Sequence, residues 1–163
     1  MARADGRLGH HLLDDDKGPQ DACGVVGIWA PNEDVARLAY FSLYALQHRG
    51  QESAGIAVSD GERILVVKDM GLVAQVFNEE ALNSLTGHIA VGHTRYSTTG
   101  ASAWHNAQPT FASTATGHIA LGHNGNLTNT VELATGLAPT TRKPQQAHRP
   151  KATSDTDVLT GLL

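Results

Sequence analysis

Cysteine is nearly absent from this chain: Cys23 is the single thiol in 163 residues. One thiol excludes an internal disulfide, and alone it cannot ligate an iron–sulfur cluster. An excess of positive charge is also lacking. Twelve Lys and Arg stand against sixteen Asp and Glu, for a net charge of −4, so no basic field is present to neutralise nucleic-acid phosphates or an anionic membrane surface. No apolar run approaches the roughly 20 residues that span a bilayer. Residues 1–22 lack the apolar stretch of a secretory signal and carry Asp14-Asp15-Asp16 instead. An unpaired cysteine without an export segment points to the cytoplasm. Aromatics are sparse at 5%, yet 40% hydrophobic and 17% charged residues describe one globular domain with a core, not a disordered chain.

What is present centres on Cys23. It lies in Asp21-Ala22-Cys23-Gly24-Val25-Val26-Gly27-Ile28-Trp29. A free cysteine is often a small buried hydrophobe. It is also a ready nucleophile, because the thiolate forms near neutral pH. Residues 1–22 are polar and aperiodic. They read either as a frayed terminus or as a propeptide whose removal exposes Cys23 as a new N-terminus.

Periodicity predicts a buried strand over 24–29 and, after the Pro31-Asn32 break, a helix over 33–47 capped by Asn32. Strands follow at 54–59 and 63–68 around the hairpin signal Asp60-Gly61, and a short helix at 74–85. Gly87-His88-Ile89-Ala90-Val91-Gly92-His93 is echoed by Gly117-His118-Ile119-Ala120-Leu121-Gly122-His123. The echo predicts two similar strands of one sheet, 88–93 and 118–123, each ending in Gly-His before a loop. A helix near 128–136 follows. Residues 137–152, rich in Pro and Thr, read as a surface loop. Ser154 and Asp157 stand at the spacing of a capping box, and the helix they open is cut short at Leu163, as expected of a chain truncated relative to a longer protein.

Five segments carry chemistry: Cys23-Gly24-Val25-Val26-Gly27-Ile28, His48-Arg49-Gly50-Gln51-Glu52-Ser53-Ala54-Gly55-Ile56, Gly92-His93-Thr94-Arg95-Tyr96-Ser97-Thr98, His123-Asn124-Gly125-Asn126-Leu127-Thr128-Asn129, and Ser154-Asp155-Thr156-Asp157. In this order they resemble the class II glutamine amidotransferase domain, the Ntn-hydrolase type with an N-terminal cysteine nucleophile. Within that class they are most similar to the amidophosphoribosyltransferase family. Gln51 and Tyr96 favour it over the hexosamine-phosphate synthase type, where Tyr and Trp are more usual at these positions. Two alternatives stay open: another class II amidotransferase of that second type, and a non-catalytic remnant that keeps the fold.

The resemblance implies an α+β fold, a four-layer αββα sandwich of two antiparallel sheets, over residues 23–163 behind a leader at 1–22. It implies hydrolysis of glutamine to glutamate and ammonia, the ammonia converting phosphoribosylpyrophosphate to phosphoribosylamine in purine synthesis. Cys23 would be both nucleophile and, through a freed α-amine, the base; such an amine titrates at about 7.7–8.0, suited to moving protons near neutrality. Asn124 and Gly125 would hold the oxyanion, against their plainer meaning as a turn. Arg95 would fork the substrate α-carboxylate, Asp155 would hold its α-ammonium, and Thr98 would add a contact. The plainer readings are a surface charge for Arg95 and a first-turn acid for Asp155. Arg49 and Gly50 would position the nucleophile. His48, His93 and His123 precede motif loops and read as structural hydrogen-bonding groups, not metal ligands. No metal or other cofactor is expected in this chain. Mg2+, and the iron–sulfur cluster of some members, belong with a phosphoribosyltransferase domain that it does not contain. A homo-oligomer is expected at full length, with no nucleic-acid or membrane partner.

Overall fold

The computed structural model describes residues 22–96, 103–114, 117–136 and 154–163. Strand β1 (Gly24–Trp29) leads into helix α1 (Val35–Ala45) and a 3-10 turn at Gln47–Arg49. The hairpin β2 (Ser53–Ser59) and β3 (Ile64–Met70) follows, then short helices α2 (Val73–Val76) and α3 (Glu79–Ser84), then β4 (Ile89–Arg95). A 3-10 turn at Trp104–Asn106 precedes β5 (Thr110–Thr114) and β6 (Gly117–Leu121), and α4 (Thr130–Gly136) and α5 (Asp155–Leu162) complete the described elements. The strands form two antiparallel sheets, one in the order β1-β4-β2-β3 and one of β5-β6. The fold is therefore α+β.

Local chemistry explains the main elements. Asp34, not Asn32, caps α1: its Oδ1 accepts from Arg37 N–H at 3.0 Å. Val35, Ala36, Ala39 and Leu43 then fall on one helical face and are buried. At the β2–β3 hairpin, Asp60 Oδ1 accepts from the N–H groups of Glu62 and Arg63, and Gly61 takes the left-handed φ of 97° that the turn needs. The helix expected over 74–85 is two short ones, since Phe77 and Asn78 are extended and Asn78 caps α3 through Ala81 N–H. No side-chain capping bond forms at Ser154. No helix among the described residues is long and apolar enough to cross a membrane.

The alternation of β2 and β4 sorts two different interiors. Toward α1–α3 point Ala54, Ile56, Val58 and Ala90, which join Val35, Leu43, Val73, Phe77 and Leu82 in one apolar core. Toward β5-β6 point Ser53, Gly55, His93 and Arg95, where buried Gln108 meets them and the layer is polar. Beyond β5-β6 lies α5, with Thr110 of β5 hydrogen-bonded to Thr160. The layers thus run helix, sheet, sheet, helix.

Two expectations are corrected. The echoed strands do not share a sheet: among the described residues β4 is interior in the first, and β6 pairs with β5 in the second. Nor is β1 buried throughout. Among the described residues it is an edge strand, and Val25 and Trp29, on the face that carries His93 in β4, are exposed while Gly24 is buried.

The segment that leads into β5 lies close against β2 at Gly55. A Cβ there would lie 2.1 Å from the Gln108 carbonyl oxygen, a backbone atom with no side chain to swing aside. At Gly27 a Cβ would meet nothing within 4 Å. Gly55→Ala is therefore expected to cost about 1–3 kcal/mol by overpacking, and Gly27→Ala to stay within about 0.5 kcal/mol. Urea unfolding of both variants measures the difference, and equal midpoints would contradict the close approach.

Candidate functional site

The site grows from the start of β1. Gly24 pairs with Thr94, so the antiparallel register sets Cys23 beside Arg95, and Ser53 of β2 faces Arg95 from the other side. Gly24 N–H donates to Thr94 Oγ1 at 3.2 Å, fixing the entry to the strand. The half-buried Cys23 thiol lies against the Tyr96 peptide: Tyr96 N–H donates to Sγ at 3.5 Å, and Sγ is 3.6 Å from Tyr96 O.

Two distant segments converge on the Cys23 carbonyl. Arg49, at the end of the 3-10 turn, donates through Nε at 3.3 Å. Asn124, after β6, donates through Nδ2 at 3.2 Å. Arg49 reaches there because Gly50 lies backbone to backbone on β4: a Cβ at Gly50 would stand 2.7 Å from the Thr94 carbonyl. Gln47 ties the same turn, donating to Gly50 O at 2.5 Å and accepting from Val73 N–H at 2.6 Å. Gly125 follows Asn124 under the ring of His123, where a Cβ would be 2.5 Å from Nε2.

Arg95 is not a surface charge. It is only 3% exposed, and its guanidinium pairs with Glu52, itself largely buried. Glu52 lies in the motif that begins at His48, but its partnership with Arg95 is visible only once β2 and β4 are paired. Asp155 meets the loop after β6 instead of Cys23. Its Oδ2 accepts from Leu127 N–H at 2.9 Å, and its Oδ1 lies 3.8 Å from His123 Nδ1. Thr98, the leader up to residue 21 and the loop over 137–153 lie outside the described residues. Among the described residues, no three His, Cys, Asp or Glu gather as a metal site.

Two residues that the motifs did not single out as site residues stand behind Asn124. His93 Nε2 lies 3.1 Å from His123 O, and Gln108 Oε1 accepts from His123 N–H at 2.7 Å. Burial pushes the His93 imidazole down to about 4, aided by the positive charge of Arg95 and by His123 and Lys68, and only partly opposed by the His123 carbonyl. Burial also lowers the Lys68 ammonium from its ordinary value, against the attraction of Asp157. Lys68 donates to Ala107 O at 2.5 Å and sits over the Trp104 ring. A cleft of about 540 Å3 opens there between Ile64, Val66, Trp104 and Phe111. It lies at the β3 edge, across the sheet from Cys23.

Comparison with known proteins agrees with the motif resemblance. No protein-family model matches the chain. The chain is 56% identical over 150 residues to the amidophosphoribosyltransferase of Mycobacterium leprae, covering 91% of this chain and 27% of that protein. It is 62% identical over 115 residues to the amidophosphoribosyltransferase of Synechococcus elongatus, covering 71% and 23%. Among solved structures, the glutamine phosphoribosylpyrophosphate amidotransferase of B. subtilis, complexed with ADP and GMP, superposes with a TM-score of 0.70 at 39% identity, over 85% of this chain and 28% of that one. The chain spans about a quarter of the length of these relatives.

The state of His93 has a consequence for acid stability. An unfolded histidine titrates near 6.5 and the folded one near 4, so between these values the unfolded chain holds the extra proton. This contribution is intact above about pH 6.5 and is lost as pH falls toward 4, a loss of about 3 kcal/mol. Urea unfolding from pH 7 to pH 4 is expected to show this slope, and His93→Gln to flatten it. An unchanged slope in the variant would place the acid sensitivity elsewhere.

Proposed function

We propose, from the premise that the chain is homologous to the N-terminal part of amidophosphoribosyltransferases, that it is the glutaminase half of such an enzyme. The observation that carries the reading is the convergence on Cys23: the Asn124 amide and the Arg49 guanidinium both donate to its carbonyl from segments remote in sequence. That arrangement supports a fixed main chain at residue 23 with a thiol beside it.

In this reading residues 1–22 are removed and the α-amine of Cys23 becomes free. The amine takes the thiol proton, and the thiolate adds to the side-chain amide carbon of glutamine. The oxyanion so formed accepts from Asn124 Nδ2 and Gly125 N–H. Collapse breaks the C–N bond, and the α-ammonium returns its proton to the departing ammonia. The remaining thioester takes up water, deprotonated by the same amine, and releases glutamate. Arg95 holds the substrate α-carboxylate, with Glu52 fixing the guanidinium plane. Asp155 holds the α-ammonium, Thr98 adds a contact, and Arg49 and Gly50 keep residue 23 in place.

Ammonia passes to a phosphoribosyltransferase portion of the longer enzyme, where it displaces pyrophosphate from phosphoribosylpyrophosphate to give phosphoribosylamine. One cysteine supplies too few ligands for an iron–sulfur cluster, so that group and Mg2+ are assigned to the remainder of the enzyme. We assign the full-length protein to the cytoplasm as a homo-oligomer.

Intact mass before and after treatment with a diazo-ketone analogue of glutamine tests the nucleophile. The expected result is loss of residues 1–22 and one covalent adduct, absent in Cys23→Ala; an intact leader with no adduct would sink the reading. Separately, Asn124→Ala is expected to lower kcat for glutamine hydrolysis about 100- to 1000-fold, the usual cost of one oxyanion donor. Steady-state ammonia release measures it, and a loss under about threefold would remove Asn124 from the oxyanion site.

A further inference from the structure

We infer that His93 and Gln108 are positioning residues for glutamine hydrolysis: they hold the main-chain carbonyl and N–H of His123 from two sides and so aim the Asn124 amide. The inference rests on Cys23 as nucleophile and Asn124-Gly125 as oxyanion donors.

The ladder of β6 ends at Leu121. The chain then leaves the sheet, and its main-chain groups need partners before it reaches Asn124. At His123 both are supplied by buried side chains. Gln108 is 5% exposed and accepts the His123 N–H at 2.7 Å. His93 is fully buried and meets the His123 carbonyl at 3.1 Å. A carbonyl only accepts, so the His93 hydrogen sits on Nε2 and its Nδ1 is bare; that Nδ1 has no partner among the described residues. A neutral ring is what burial enforces at pH 7.

The two anchors come from different layers. His93 stands on β4, two residues before Arg95, and Gln108 precedes β5 with its own carbonyl seated on Gly55. The main chain at His123 therefore inherits the spacing of the two sheets. One residue on, Asn124 Nδ2 reaches the Cys23 carbonyl, and the His123 ring presses on Gly125. An oxyanion donor misaimed by a fraction of an ångström loses much of its effect in the transition state while leaving substrate binding to other groups. A positioning role thus predicts damage to kcat and not to KM.

The test uses the full-length protein that carries this domain. Wild type is first treated with the diazo-ketone analogue; no adduct at Cys23 would overturn the functional reading itself, and the clamp with it. Given the adduct, His93→Leu is expected to lower kcat for glutamine hydrolysis about 30- to 300-fold with KM within about threefold. Gln108→Leu is expected to behave alike. His93→Gln, whose amide N–H can donate in place of Nε2, is expected to recover kcat to within about tenfold of wild type. The double variant His93→Leu with Asn124→Ala is expected to lie within about threefold of Asn124→Ala alone, because one residue acts through the other. A merely structural role would instead multiply the two losses. The proposal is overturned by multiplication, by kcat within threefold of wild type in His93→Leu, or by a loss confined to KM. Should His93→Leu not fold, Gln108→Leu alone and combined with Asn124→Ala decides by the same criteria.

Discussion

The pairing of β1 with β4 governs where everything else in the site must go. Because Gly24 opposes Thr94, Cys23 stands at the end of the ladder, next to Arg95 and against the Tyr96 peptide. A slip of one residue would turn Thr94 away from α1 and send His93 and Arg95 into the apolar core. The register is held because the helix-facing side of β4 admits little else. Gly92 lies under Val26 and Leu43, where a Cβ would be 2.7 Å from Val26, and Thr94 takes the Gly24 N–H. Packing on the helix side therefore fixes chemistry on the opposite side.

That division of labour gives the two interiors their different compositions. The layer under α1 is apolar and buried, and it supplies the driving force for folding. The layer between the sheets holds His93, Arg95, Ser53 and Gln108 away from water. Buried polar groups are costly unless satisfied, and here Arg95 pairs with Glu52 while His93 and Gln108 hold the main-chain groups of His123. Polar groups so held have few alternative positions, which is what a site requiring fixed donors needs.

Much of this was legible in the sequence, for reasons that differ by element. The β2–β3 hairpin was readable because Asp60-Gly61 has a local mechanism, confirmed in the Asp60 bonds and the φ of Gly61. Cys23, Arg49 and Asn124 were readable from motif order, and all three meet in space. Strand β5 is hard to read in the sequence because Thr110–Thr114 carries no apolar run; its Thr110 and Ala112 are buried, with Thr110 set against Thr160 of α5. The echoed segments were assigned to one sheet because their residues are nearly identical. Nothing local tells an interior strand from a hairpin strand; that is settled by which edges remain unpaired. Glu52 and Gln108 escaped notice for the same reason, since each acts only through a partner distant in sequence.

The donors on the Cys23 carbonyl bear on how one residue could serve as both nucleophile and base. A terminal residue ordinarily frays, since nothing precedes it to hold it. Here residue 23 is restrained through three of its own groups or its neighbour's: its carbonyl by Arg49 and Asn124, its thiol by the Tyr96 peptide, and Gly24 N–H by Thr94. None of these contacts uses the nitrogen of Cys23. Cutting the Ala22–Cys23 bond would leave every one of them in place, so the restraint that positions the thiol does not depend on the leader. The nitrogen that these contacts leave aside is the same group the proposed chemistry calls upon to carry protons.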